Sequence, residues 1–539
     1  MTRPRRRGRF TRRRAGAPAR PSGSSATPGP TSPAAASGRS ASLATAGSGS
    51  VPSATADRSL SGPETSLLAT LEDILGDDGL RTGHLGRATY RRDASFLNAD
   101  PLAVALPRSV EQTAHVLRAC RDHGIPFTPR AAGTGLAGGA TPTGEGGRRP
   151  VVVSVARMDQ LRELDVPNRR AWVEPGLVNA RLGKAAAAHG LRFAPDPASQ
   201  IAATLGGNVA TNAGGIHVLT YGVMSQHVLA VELMDADGVV HVLDGTRAEQ
   251  AGLDLRGVSV GGEGTLGIVV GACLRLLPAP PAVGTLLAGF ASLEAAATAV
   301  GALVVSDRLP DAVELMDARA VSLVEDYAQA GYPQDAAAVL LLEYEGLPAG
   351  VDAGVATADR LARDHGATSV VRADGPDQRA RIWKGRKAVA GAIAKRAPDF
   401  YLQDVVVPRS RLGEMLDAVV AIGERERLEI LTVVHAGDGN LHPFVLFDRR
   451  VEGMIDRVFA AGHDIVATAL SLDGTVTGEH GVGIEKRDFL SDVFDSDDLA
   501  VQRAVRDAIE PSGLANPDKV LPTTVGCGES RMVPEGAWV

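Results

Sequence analysis

Residues Pro129–Ala140 read PRAAGTGLAGGA and follow a strand-like stretch, GIPFTPR (Gly124–Arg130). Glycines at 133, 135, 138 and 139 put several backbone N–H groups into one concave loop. Such a nest holds pyrophosphate oxygens by amide donors, where side chains would obstruct them. The segment is not a GxGxxG that opens a helix with a distant acidic residue, so a nicotinamide Rossmann site is not supported. Taken alone, the same residues also read as a tight turn.

Two more stretches share this character. PDPASQIAATLGGNVATNAGG (Pro195–Gly215) lacks an amphipathic period and is rich in small residues, which let backbone approach a flat ring system. Within it, Ser199, Asn208, Thr211 and Asn212 can donate hydrogen bonds; an irregular Gly/Ala-rich loop is the plainer reading. GGEGTLGIV (Gly261–Val269) runs through Gly264 and Gly267 into an apolar strand, where the Ile268 amide and carbonyl could read a ring edge. An ordinary glycine turn before a core strand also fits.

Around these loops, from Asp100 to Pro278, short apolar strands alternate with helix-like stretches, which predicts an α/β or α+β domain. PAPPAV (Pro278–Val283) reads as a linker. Beyond it, to about Gly350, the pattern predicts an α+β sheet with helices on one face. Arg360–Val389 reads as helical with one interruption, Tyr401–Val407 as a strand and Arg411–Arg427 as a helix. Leu428–Val434 and His442–Phe447 read as two strands around a turn, Val451–Leu470 as a helix and residues 500–511 as the last helix. Upstream, SGPETSLLATLEDILG (Ser61–Gly76) has apolar residues at helical spacing, with Pro63 and Glu64 suited to a first turn.

The 539 residues exceed what one hydrophobic core serves, and 44% hydrophobic with 22% charged is ordinary for a globular protein. Residues 1–56 carry ten Arg and no acid, a charge of +10 that leaves −17 for the rest of the net −7. With Pro, Ser, Ala and Gly following Met1–Arg14 in low-complexity order, residues 1–62 read as a disordered basic tail. No apolar run follows as an export signal requires, and one aromatic, Phe10, argues against nucleic-acid binding. Three distant cysteines, Cys120, Cys273 and Cys527, exclude a disulfide framework and a four-cysteine iron–sulfur cluster held by this chain alone. A reducing, cytoplasmic setting is the simple reading, and no window reaches 18 apolar residues.

HAGDGNLH (His435–His442) carries the sharpest chemistry. Strand-like LEILTVV precedes it, LHPFVLF overlaps its end, and Asp438-Gly439-Asn440 is strong turn chemistry. A hairpin there brings His435 and His442 together, and two converging imidazoles suit a divalent transition metal. GEHGVGIEK (Gly478–Lys486) offers a carboxylate, Glu479, beside His480. Two His and one carboxylate leave open positions for substrate oxygens. On residue counting alone, two histidines flanking a turn also read as polar surface residues.

In order and spacing, the three glycine-rich stretches resemble the FAD domain of the vanillyl-alcohol-oxidase/para-cresol-methylhydroxylase type. With HAGDGNLH and GEHGVGIEK added, the chain is similar to the D-2-hydroxy-acid dehydrogenase branch of that family. That branch includes D-lactate dehydrogenases, D-2-hydroxyglutarate dehydrogenases and the flavin subunit of bacterial glycolate oxidase. The resemblance implies an α+β, two-lobed protein: a helical segment at 63–99, an FAD-binding domain at 100–280, a cap domain with an antiparallel sheet and a C-terminal helical segment at 281–522, and a tail at 523–539.

It also implies FAD held by Arg130, Ala131, Ala132, Gly133, Thr134, Gly135 and Leu136, by Pro195, Ser199, Gly206, Asn208, Thr211 and Asn212, and by Gly264, Gly267 and Ile268. Thr134 stands near the place where some members attach FAD through histidine, so non-covalent FAD is expected. Gly262 stands where many relatives have Ser. The implied metal ligands are His435, His442 and Glu479, for zinc first and manganese or iron as alternatives. Arg386, in RIWKGRKAV, and Asn440 correspond to substrate-binding residues, and His480 to the base. Ala390 and Leu402 replace polar residues of relatives that accept a second carboxylate, which favours glycolate or D-lactate over 2-hydroxyglutarate.

The electron acceptor implied is an iron–sulfur subunit, a cytochrome or a quinone, with placement at a membrane only through such a partner. A homodimer is compatible with the resemblance. Two rivals share the scaffold: an alkyl-glycerone-phosphate-synthase-like transferase, and a flavin-binding subunit of a multi-subunit oxidase whose hairpin is structural.

Overall fold

A computed structural model describes residues 60–144, 148–245 and 252–522. The predicted terminal tails and Cys527 lie outside the described residues, apart from Leu60–Gly62. The first helix, Gly62–Gly79, starts at a Ser61–Glu64 capping box, and Leu67 and Leu71 bury its inner face. These leucines join a core with Val116, Leu117 and Cys120 of the helix Val110–Asp122, and with Phe127, Val151 and Val153.

The α+β architecture rests on three principal sheets. A four-stranded sheet runs Leu80–Arg81, Ala103–Ala105, Val151–Ser154, Phe127–Arg130, and the last three strands are parallel to one another. A five-stranded antiparallel sheet runs Leu161–Asp165, Arg170–Val173, Ile268–Arg275, Val228–Met234, Val240–Asp244. Leu514 and Ala515 return to the first sheet, where the Phe127 N–H donates to the Leu514 carbonyl at 2.9 Å and Ala515 enters the core.

The third sheet has eight antiparallel strands. Seven run in the order Ala367–Arg372, Ala282–Phe290, Ala338–Gly346, Ala312–Asp317, Glu429–His435, Asn440–Phe447, Asp399–Leu402, and Val405–Val406 also pairs with Asn440–Phe447. Helices were expected on one face of this sheet, yet both faces are covered. Leu293–Val304, Pro348–Asp364, Leu412–Glu426 and Met454–Ser471 cover one face, over Leu286, Leu315, Leu340 and Val434. Ala318–Ala328, Gly375–Lys387 and Val389–Arg396 cover the other, over Leu287, Met316, Leu341 and Val433. The strand Ala338–Gly346 shows why: Ala338 to Leu342 are all buried, a continuous apolar run rather than an alternation.

Two local expectations also change. The interruption inside Arg360–Val389 is a strand, Ala367–Arg372, whose β-branched Val370 and Val371 pair with Ala288 and Leu287 and which forms the edge of the large sheet. The strand expected at Tyr401–Val407 breaks between Leu402 and Val405, at the wholly buried Asp404.

Candidate active site

The strand Phe127–Arg130 ends at the first glycine loop, which turns at Gly133 with φ +72°. The segment before the third strand turns at Gly264, φ +76°, and Gly267, φ +132°. A Cβ on Gly264 would lie 2.9 Å from the Pro129 ring, so the two loops meet backbone to side chain with no room between them. Together with the short helix Leu205–Ala210 they wall a cavity of about 390 Å³.

Of the residues expected to hold FAD, Arg130 through Leu136, Ser199, Gly206, Asn208, Thr211, Gly264, Gly267 and Ile268 line this cavity. Pro195 and Asn212 lie off its wall: the Pro195 carbonyl accepts from Asn179 Nδ2 at 3.0 Å, and Asn212 Oδ1 accepts the Ser225 N–H at 2.9 Å. Two buried polar atoms of lining residues, Asn208 Nδ2 and Thr204 Oγ1, have no hydrogen-bond partner. Buried donors are seldom left so, and a polar ligand in the cavity would satisfy them. Glycine-exposed amides and unsatisfied donors together fit FAD.

The far wall of the same cavity belongs to the large sheet and the loop after it. His435 pairs in register with Asn440, and Val433 with His442. The histidines are therefore diagonal neighbours on one face of the hairpin rather than a pair facing across the turn, and their ring centroids are 5.0 Å apart. Glu479 reaches them from the Gly478–Lys486 loop, its Oε1 at 3.3 Å from both His435 Nε2 and His442 Nε2. One ligand atom from each of the three lies within 4.8 Å of the others. His442 Nδ1 and Nε2 are buried without a hydrogen-bond partner. Two imidazoles and a carboxylate with such unsatisfied lone pairs fit a divalent cation.

Two carboxylates not anticipated from the sequence hold this trio. Glu314, wholly buried on the strand Ala312–Asp317, accepts His435 Nδ1 at 2.5 Å on one oxygen and Arg386 Nε at 2.6 Å on the other. Donation from His435 Nδ1 to Glu314 orients the ring with Nε2 toward Glu479, the nitrogen that would face a metal. Asp404 Oδ1 lies 3.8 Å from His442 Nδ1. Its Oδ2 accepts Thr477 Oγ1 at 2.6 Å and the N–H groups of Gly478, Glu479 and His480 at 3.0, 3.2 and 3.0 Å. Both acids stand inside apolar sequence, AVELMD and FYLQDVVV, and an acid within such a run is the signal that could have found them.

The charges are strongly biased. Burial opposes ionisation of Glu479, but His435 and His442 hold its carboxyl well below the usual range. Burial likewise opposes a charged His435, which Glu314 and Glu479 nonetheless raise well above an ordinary imidazole. Burial pushes His480 down to about 4 despite the pull of Asp404, which favours its neutral ring. His480 stacks on His442 with centroids 4.9 Å apart and lines the cavity.

Arg386, Ala390 and Leu402 also line it, beside Phe400 and Phe444. Asn440 does not; it is buried behind the wall, against Gly478, with Oδ1 unpartnered. A second polar network ties the flavin side to the helix bearing Arg386. His217 bonds Asp196 at 2.7 Å and Glu343 at 3.3 Å, and Glu343 accepts Trp383 Nε1 at 2.5 Å.

Comparison with known proteins identifies the family. Residues 101–244 match the FAD binding domain model, and residues 279–520 match FAD linked oxidases, C-terminal domain. The chain is 38% identical over 468 residues to the glycolate oxidase subunit GlcD of Escherichia coli K12, covering 86% of this chain and 93% of that one. It is 32% identical over 425 residues to the D-lactate dehydrogenase of Archaeoglobus fulgidus, covering 78% and 92%. The solved structure of p-cresol methylhydroxylase superposes with a TM-score of 0.72 at 16% identity, covering 86% and 97%, a likeness of fold. No helix among the described residues is long and apolar enough to cross a membrane. The chain belongs to the FAD-linked oxidase family, as an FAD-dependent oxidoreductase of the branch that holds the glycolate oxidase subunit and the D-lactate dehydrogenases.

Proposed function

We propose that this protein oxidises a small 2-hydroxy monocarboxylate, glycolate or D-lactate, to the 2-oxo acid. The observation that carries the reading is convergence: His435, His442, Glu479, His480 and Arg386 share one cavity with the flavin loops. Arg386 binds the substrate carboxylate, its guanidinium oriented by Glu314. His480, on the cavity wall, takes the hydroxyl proton. FAD, held non-covalently, supplies the hydride acceptor. His435, His442 and Glu479 would hold a divalent ion, zinc or else manganese or iron, which lowers the hydroxyl pKa and orients the substrate.

Ala390 and Leu402 bring no charge to the cavity, which favours a substrate with one carboxylate. Asn440 supports the site from behind Gly478. The Escherichia coli relative is a glycolate oxidase subunit, which supports electron transfer from the reduced flavin to an iron–sulfur subunit, a cytochrome or a quinone.

Anaerobic addition of glycolate, D-lactate, L-lactate and D-2-hydroxyglutarate to the purified flavoprotein tests the substrate class. Glycolate or D-lactate should bleach the flavin band and D-2-hydroxyglutarate should bleach it slowly. Bleaching by none of the four overturns the reading.

A further inference from the structure

The loop Gly478–Gly483, which carries Glu479 and His480, hangs between two buried carboxylates. Asp404 grips its first half by the amides already described. Glu263 grips its second half from the flavin side. Its Oε1 accepts the Val482 N–H at 2.7 Å and its Oε2 the Gly483 N–H at 2.9 Å. Glu263 lies in the third glycine stretch, between Gly262 and Gly264 on the cavity wall, and holds the left-handed φ of +48° that side chains rarely adopt.

The other glycine stretches meet the same residue. The Glu263 N–H donates to the Ala210 carbonyl at 2.8 Å, and Asn516 Nδ2 bridges the carbonyls of Glu263 and Gly139 at 2.7 and 2.9 Å. A Cβ on Gly481 would lie 2.6 Å from Glu263 Oε1, and one on Gly139 3.1 Å from Oε2, so two glycines make room for this carboxylate. Burial pushes the Glu263 carboxyl up to about 7, against the pull of the Val482 and Gly483 amides and of Lys519. A carboxylate so placed is spent on backbone amides, which hold it in one orientation.

We propose that Glu263 is a positioning residue that couples the flavin-binding loops to the loop carrying Glu479 and His480. Seating FAD against Gly264–Ile268 fixes the Glu263 backbone, and its carboxylate fixes the height of the Gly481–Gly483 backbone over the flavin side of the cavity. The proposal rests on the role given above to His480. Its exchange measurement does not, so failure of the substrate reading and failure of the coupling are separable.

The test uses the full chain. Amide hydrogen exchange over residues 478–486 is followed with FAD bound and after FAD is stripped, in the wild type and in Glu263→Gln. The amide side chain of Gln keeps one acceptor and turns a donor toward the other N–H. In the wild type FAD should slow exchange at Val482 and Gly483. In Glu263→Gln that protection should be lost while the visible spectrum still shows bound flavin. Flavin reduction by D-lactate should fall about tenfold or more, the loss expected for one charge-assisted hydrogen bond, with KM little changed. Glu263→Asp, which keeps the charge on a shorter arm, should restore part of the rate.

Wild-type exchange and wild-type reduction in flavin-loaded Glu263→Gln would overturn the proposal. Equal rates in the Gln and Asp variants would remove the carboxylate grip. Loss of FAD by both variants would assign Glu263 to flavin seating alone and overturn the coupling.

Discussion

The glycine loops at Pro129–Ala140 and Gly261–Val269 present backbone to the cavity, with Gly133, Gly264 and Gly267 at positive φ. Across from them the cap presents charge: His435, His442, Glu479, His480 and Arg386, backed by Glu314 and Asp404. One wall fits its ligand by removing side chains and exposing amides. The other buries ionisable side chains side by side and leaves His442 with unsatisfied lone pairs. A change on the first wall should disturb flavin occupancy, and a change on the second should disturb chemistry with the flavin in place.

His480→Ala should show the largest effect. Flavin reduction by glycolate or D-lactate should slow by about two to four orders of magnitude, the range for loss of a general base, while the flavin absorbance stays. Stopped-flow absorbance measures both at once, and an unchanged rate would remove His480 from the proton transfer.

Glu314→Gln comes next. It breaks the charge shared between His435 Nδ1 and Arg386 Nε, and it should weaken zinc binding by about 10–100-fold, as loss of a ligand's hydrogen-bond partner does. Zinc titration followed by calorimetry reads this directly. Zinc affinity equal to wild type would mean that Glu314 does not orient His435.

Gly133→Ala acts on the opposite wall and should have the smallest effect. A side chain at φ +72° is strained and meets the Arg130 guanidinium. FAD binding should weaken by about tenfold, from the roughly 1–2 kcal/mol that a non-glycine residue pays in the left-handed region. Flavin content after gel filtration checks it, with zinc binding by His435 and His442 retained. If zinc were lost as well, the two walls would not be separable.

The two walls were also unequally legible. The glycine stretches show in sequence because a missing side chain is itself the signal. Arg130 through Leu136, Gly264, Gly267 and Ile268 all line the cavity, and only Pro195 and Asn212 fall off the wall, as supports of neighbouring turns. His435, His442 and Glu479 were readable as residue types, and the structure brings them together through a register that places His442 opposite Val433.

Glu314 and Asp404 went unread because a strand's partner is not written beside it. Glu314 precedes His435 by 121 positions and meets it only because the two strands pair, Glu314 against His435. The same limit explains the helices on both faces of the large sheet. Runs such as Ala338–Leu342 do not tell a reader which elements cover each side.

On the function proposed here, flavin and metal occupy opposite walls of one cavity. Dialysis of the flavoprotein against a chelator, followed by anaerobic D-lactate or glycolate, tests it most directly. The flavin band should persist after dialysis, bleaching by substrate should stop, and added zinc, manganese or ferrous iron should restore it. A metal-free protein that keeps its FAD and still bleaches at the undialysed rate would contradict the claim.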